Sequence, residues 1–299
     1  MRVLIVGCGY AGLPLGVELV RQGHEVFGLR RNPSAGAELR AARIQPLFAD
    51  ISDAASLKKL PQDFDWVVNC AATSGGTAED YRRTYLLGTR NLVEWLSSSP
   101  PRRYVYTSST SVYGQNDGSL VTETDPVAPP TETGRILVET ENLLLNAAMT
   151  FQFPAVILRL AGIYGPDRGH WFKQFLRGEA RIDGDGSRFL NMIHRDDVVG
   201  AIIAALKNSP VPNVVNVADN EPVSQLDFFK WLSEKLGKPT PPSVPTDAEI
   251  SRKRGVTNKR VSNQRLRKML GYQLKYPTFR QGYTAEIQRI AAGAQSRGC

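Results

Sequence analysis

Val3-Leu4-Ile5-Val6 runs directly into Gly7-Cys8-Gly9-Tyr10-Ala11-Gly12, and this is the stretch that most restricts the fold. Four consecutive apolar residues suit a parallel strand buried on both faces. The three glycines stand in Gly-x-Gly-x-x-Gly spacing. The first permits a tight turn, the second lets backbone approach a pyrophosphate, and the third lets a helix pack against a strand. Pro14 falls in the first turn of the helix expected next, Leu13, Val17 and Val20 recur at helical spacing, and Gly23 sits where the helix should end. A second apolar strand, Glu25 to Leu29, completes a βαβ unit. Such a unit offers the free N–H groups and the positive end of a helix to an anion, so Gly7, Gly9, Tyr10, Ala11 and Gly12 are candidate contacts for a dinucleotide pyrophosphate.

The remaining strands read off in order. Leu47 to Ile51 is expected as the third, ending at Asp50 and Ile51, with a short helix over Ser56 to Leu60. Trp66 to Ala72 is the fourth, with the small residues Cys70, Ala71 and Ala72 at its end. A helix over Leu86 to Leu96 leads to the fifth strand, Arg103 to Thr107, which empties into the hydroxyl-rich run Ser108 to Gly114. Ala155 to Leu160 and Val214 to Val217 continue the sheet. Ligands of doubly wound sheets bind at the carboxyl ends of the strands. Asp50, Ile51, Cys70, Ala71, Ala72 and Ser108 are therefore further cofactor candidates.

The second strand closes on Arg30 and Arg31, where an acid about 20 residues beyond the glycines would hold the ribose hydroxyls of NAD. Two guanidiniums match a 2′-phosphate instead, so NADP is expected to be preferred, with NAD possible.

GCGYAG, ADISD, NCAA, SSTSVYG, LRLAGIYGP, LNMIHRDDVVGA and VVNVADNEPVS, taken in this order, resemble the successive signatures of the extended short-chain dehydrogenase/reductase superfamily, its NAD-dependent epimerase/dehydratase group. The resemblance implies an α/β fold with a doubly wound Rossmann-type parallel sheet and a smaller, mostly C-terminal substrate subdomain. It also implies a nicotinamide cofactor at Gly7, Gly9, Gly12, Asp50 and Ala71, and substrates that are often nucleotide sugars. Residues 1–165 and 192–218 are assigned to the Rossmann domain, and 166–191 with 219–299 to the substrate side. The superfamily's frequent dimers make a homodimer an expectation.

One departure stands out. The superfamily pairs a serine or threonine at the position of Ser109 with a Tyr-x-x-x-Lys motif; here Thr133 and Leu137 occupy those two places, so the pair is missing and the chain resembles the superfamily's atypical members. A threonine hydroxyl titrates far above a tyrosine's ordinary value near 10 and cannot simply replace it. Tyr113 and Tyr164, both in loops after strand ends, are the candidate proton donors, with Ser109 orienting the substrate oxygen. A noncatalytic NADP(H)-binding sensor remains the alternative to an enzyme.

A formal charge of +8 is spread along the chain with few interleaved aromatics, which suits a small anionic substrate better than nucleic acid. The apolar run before Cys8 is shorter than the roughly seven residues of a signal-peptide core, and none is long enough to span a bilayer. Cys8, Cys70 and Cys299 lack paired spacing, so neither disulfide framework nor metal site is expected, and cytoplasmic usage is. The Asp183 to Gly186 turn offers too few ligands for calcium. His194 reads as a structural histidine beside Asp196 and Asp197. Ser224 to Asp227 caps a helix with Leu226, Phe229, Leu232 and Leu236 inward, and helices over Arg265 to Leu270 and Thr284 to Ala292 close the chain. Residues 239–250 form a proline-rich connection. Arg252, Lys253, Arg254, Lys259 and Arg260 beyond it are expected to form a cationic flap over the cleft.

Overall fold

A computed structural model of the chain describes residues 1–73, 75–209, 211–245 and 257–295. Seven parallel strands form its central sheet: β1 (Arg2–Val6), β2 (Glu25–Arg30), β3 (Gln45–Phe48), β4 (Trp66–Asn69), β5 (Arg103–Ser109), β6 (Ala155–Leu160) and β7 (Val214–Val217). Their order is β7-β6-β5-β4-β1-β2-β3. The direction of winding reverses between β1 and β4, which opens a crevice at their carboxyl ends. Val3, Leu4 and Ile5 are fully covered, as a strand clad by helices on both faces must be.

The helix Gly12–Arg21 packs Gly12, Leu15, Gly16 and Leu19 inward. Val17, expected on that face, is exposed, because the close backbone approach permitted by Gly12 and Gly16 rotates the helix about that stripe. A Cβ on Gly12 would meet the Gly7 carbonyl at 2.8 Å and Ile5 Cγ2 at 3.0 Å. The third strand ends at Phe48, earlier than expected, so Asp50 and Ile51 lie in the loop beyond it. The fourth likewise ends at Asn69, leaving Cys70, Ala71 and Ala72 in open backbone.

The helix expected from Leu86 begins eight residues earlier, at Ala78, capped by a reciprocal Thr77–Asp80 box, and passes through a π-helical segment, Arg82–Leu87, before continuing to Leu96. The 20-residue helix Glu132–Phe151 was not anticipated; Thr131 caps it, and Thr140, Glu141 and Leu144 face the sheet. Those polar residues break its apolar stripe and hide the period. Arg159 of β6 is 4% exposed and donates to both carboxylate oxygens of Glu141 at 2.7 to 3.2 Å, and Ser108 donates to the same carboxylate at 2.6 Å.

A second buried cluster is aromatic. It joins Tyr164, Phe172, Phe175, Phe228, Phe229, Trp231, Phe279 and Tyr283. The helix Gln225–Leu236 contributes Phe228 as well as the expected Phe229 and Leu232. Asn116–Val121 pairs in parallel with Asn258–Val261 across an irregularity in register, which carries Lys259 back toward the end of β5. The closing helix runs Phe279–Gln295. Arg252, Lys253, Arg254, Cys299 and most of the expected flap lie outside the described residues. No helix among the described residues is long and apolar enough to cross a membrane.

Candidate active site

A cavity of about 560 Å³ opens along the carboxyl ends of β1, β2, β4 and β5. Its floor is the glycine turn. Gly7 has φ +77°, and a Cβ there would lie 2.5 Å from Ala71 backbone, so only glycine fits. Gly9 differs: a Cβ would find nothing nearer than 3.7 Å and would project into the space the cavity offers. Tyr10 and Ala11 complete this rim, whereas Gly12 lies beneath it as the packing contact between helix and strand. Tyr10 presents its ring to Arg168, 4.9 Å from the centroid, and Arg195, 5.6 Å away. Burial pushes its phenol up to about 12 against the pull of those two cations.

Arg30 and Arg31 line one end of the cavity with Asp50, Ile51 and Ser52. Arg30 donates to the Cys8 carbonyl and lies 3.9 Å from Glu38. Burial alone would raise the Asp50 carboxyl, yet it sits below its ordinary range. The Ser52 hydroxyl and N–H donate to it at 2.7 and 2.9 Å, and Arg31 and Arg83 are close by. Arg83 was not singled out from sequence. It reaches the cavity from the π-helical segment with Thr84 and Tyr85, where one extra residue per turn shifts which side chains face inward.

Cys70, Ala71 and Ala72 form the opposite wall, and Thr107, Ser108 and Ser109 the end beyond β5. Cys70 is a wall, not a nucleophile: burial holds its thiol well above the ordinary value, and it donates weakly to the Val6 and Gly7 carbonyls. Leu137 lines the same cavity, and Thr133, in the first turn of its helix, contacts the Thr131 hydroxyl at 3.2 Å.

The two candidate proton donors are placed otherwise than expected. Tyr113 is completely covered and does not line the cavity. Its hydroxyl receives a hydrogen bond from Arg159 at 2.8 Å and donates to Asn216 at 2.9 Å, with the guanidinium over its ring. Tyr164 is 1% exposed, stacked on Tyr283 at 4.2 Å and edge-on to His194. Its hydroxyl turns toward Gly282, where a Cβ would come within 1.9 Å, and has no hydrogen-bond partner among the described residues. Burial drives its pKa far up. Tyr113 does follow a strand end, whereas Tyr164 closes a short strand, Gly162–Tyr164, that pairs in parallel with Met192–His194, and both rings turn inward to fill core. The two hydroxyls should therefore behave differently. Tyr113→Phe strands an Arg159 donor and should lower stability by about 1–3 kcal/mol, whereas Tyr164→Phe removes an unpartnered hydroxyl and should be neutral within about 0.5 kcal/mol, both readable by denaturant unfolding.

His194 caps the helix Arg195–Lys207 by accepting from the Asp196 N–H at 3.1 Å and lies 3.4 Å from Glu286, packed against Tyr164 and Tyr276. Burial holds its pKa below the ordinary value. Ser109 also faces a second, smaller chamber of about 250 Å³, toward which Arg188 and Lys259 converge. Lys259 is 5% exposed and donates to the Tyr113 carbonyl and to Thr257.

A parallel sheet wound in this order, with a glycine turn under its switch-point cavity, defines a nucleotide-binding Rossmann protein. The NAD dependent epimerase/dehydratase family model matches residues 3–218, and the chain belongs to that family. It is 29% identical over 283 residues to Protein YeeZ of Escherichia coli K12, covering 92% of this chain and 96% of that one. Among solved structures, a conserved protein of unknown function from Silicibacter pomeroyi is 31% identical with TM-score 0.77, over 95% of this chain and 97% of the other. The UDP-glucuronic acid 4-epimerase of Bacillus cereus, in complex with UDP-glucuronic acid and NAD, is 25% identical with TM-score 0.80, over 98% and 99%.

The residues present fit a nicotinamide dinucleotide. Gly7 admits no side chain, Gly9 leaves open the path to the N-terminus of the helix Gly12–Arg21, and small residues wall the crevice opposite.

Proposed function

We propose that this chain is an NADP-preferring oxidoreductase of the epimerase/dehydratase type acting on a small anionic substrate. One observation carries the cofactor choice: Arg30, Arg31 and Arg83 gather at the end of the cavity beyond β2. Three guanidiniums there match a doubly charged phosphate monoester far better than a pair of ribose hydroxyls. Gly7, Gly9, Tyr10 and Ala11 would hold the pyrophosphate, Asp50 and Ile51 the adenine, and Cys70, Ala71, Ala72 and Ser108 the remainder. The bound cofactor supplies hydride transfer. Ser109 would orient a substrate oxygen, a reading supported by its lining both the large cavity and the smaller chamber. The relative bound to UDP-glucuronic acid supports an anionic, sugar-like substrate. Residues 166–191 and 219–299 serve as the substrate side, and a cytoplasmic homodimer is the expected form.

Direct titration tests the cofactor choice. NADPH should bind at least tenfold more tightly than NADH, and the advantage should shrink as added salt shortens the screening length below about 10 Å. Arg31→Ala should erase most of the difference. Equal affinities in the unaltered chain would remove the NADP preference.

Leu137 favours a second reading. It places an apolar side chain in the cavity where the superfamily has lysine, which suits a protein that binds NADP(H) without turning over. A substrate screen following absorbance of the reduced cofactor separates the readings, since tight binding with no turnover would favour the sensor.

A further inference from the structure

Lys259 presents a problem of charge. Its side chain is 5% exposed, yet among the described residues no carboxylate pairs with it, and the charge acting on it most is another cation, Arg188. Two of its three ammonium donors are used, on the Tyr113 carbonyl at 3.2 Å and the Thr257 hydroxyl at 2.6 Å. An uncompensated buried charge costs several kcal/mol, so a fold that keeps one must recover the cost elsewhere. Other buried charges among the described residues have partners, Arg159 with Glu141 and Asp197 with the Tyr272 hydroxyl and two backbone N–H groups, whereas Asp219 lacks a cation and burial pushes its carboxyl up.

The surroundings indicate what the missing partner is. Lys259 lines the chamber of about 250 Å³, at the lower edge of ordinary ligand pockets, and Arg188 enters the same chamber from across it, its guanidinium 5.5 Å from the Trp171 ring and 3.3 Å from Asp183. Ser109, Ala161 and Ile163 belong to both this chamber and the large cavity, so a molecule held here reaches the proposed reaction end.

We propose that the smaller chamber is the subsite for the oxyanion of a compact substrate, a carboxylate or a phosphate, whose charge is neutralised by Lys259 with Arg188 behind it. That the chamber serves substrate, as opposed to binding an anion for another purpose, rests on the function proposed above. The partnering anion explains why the lysine tolerates burial, whereas desolvation first and Arg188 second push the ammonium down to about 8.

The test is calorimetric titration of the full-length chain with malonate, inorganic phosphate and UDP-glucose, each with and without saturating NADPH. Malonate or phosphate should bind at one site per chain, and Lys259→Met should weaken that binding at least tenfold while leaving NADPH affinity unchanged. Whichever of the two binds more tightly identifies the oxyanion. Should Lys259→Met fail to fold, the unaltered chain still decides. Among the described residues, the titratable or charged groups that line the chamber with Lys259 are Arg188, which stays charged, His170, Tyr164 and Tyr283. An imidazole is ordinarily half-titrated near 6.5 and nearly neutral by about 8, and tyrosines titrate near 10 or above, so a fall in malonate affinity as pH rises from about 8 to about 9.5 reports the lysine. Binding of UDP-glucose alone, no binding of any probe, equal binding by Lys259→Met, or a flat pH profile would each overturn the proposal. Lys259-dependent anion binding with no affinity for NADPH would sustain the anion site and overturn the cofactor reading instead.

Discussion

Gly9→Val should abolish measurable NADPH binding, by a hundredfold or more, while leaving the unfolding midpoint within a degree or two of the unaltered chain. The expectation follows from the contrast between neighbouring glycines. At Gly9 an added Cβ has open space, with Arg30 Nη1 at 3.7 Å as its nearest atom, so the apo fold tolerates a side chain. That space is where a pyrophosphate must approach the backbone, and a branched side chain would occupy it. Gly7→Val is the informative partner. Its φ of +77° and the 2.5 Å contact with Ala71 backbone mean that this substitution should damage folding itself. Fluorescence titration of NADPH beside thermal unfolding separates the two. Normal cofactor binding by Gly9→Val would show that the turn is structural only.

Arg159→Leu should destabilise the chain by about 3–5 kcal/mol, since it breaks a buried ion pair between the sheet and the helix that covers it. Removing the guanidinium leaves Glu141, 1% exposed, without its cation, and takes a donor from the Tyr113 hydroxyl. The Ser108 hydroxyl would then be the carboxylate's remaining side-chain donor. Glu141→Gln in the same background should recover part of the loss by removing the stranded charge, and a double-mutant cycle in urea measures the coupling. A loss under about 1 kcal/mol would mean that the carboxylate finds water or protonates at little cost. Because Ser108 borders the large cavity and donates to Glu141, the same pair ties the position of the β5 end to the core of the sheet.

Much of the fold was legible because its signals are local. The glycine spacing, the apolar runs of the central strands and the cap at Ser224 depend on residues a few positions apart. The helix Glu132–Phe151 escaped because its inward face carries Thr140, which donates to the Ile136 carbonyl of its own helix, and Glu141, which pairs with Arg159, and these polar residues blur the apolar period. Arg83 escaped for a related reason: a π-helical segment alters which residues share a face, and nothing in the local composition announces it.

The sequence by itself determined the βαβ start, the strand order's raw material and the loop ends that line the cavity, since backbone conformational needs and burial are written into glycines and apolar runs. Only the tertiary structure decided which way the tyrosines of those loops point. Tyr113 and Tyr164 read identically as aromatic residues in a turn, yet one meets Arg159 and Asn216 inside the sheet's core and the other stacks in the aromatic cluster. The same holds for Lys259, an ordinary basic residue in a basic stretch until its strand pairs with Asn116–Val121 and brings it, with no carboxylate partner among the described residues, to the chamber beside Ser109. A side chain's partners come from segments more than a hundred residues away, and no local pattern encodes their distance.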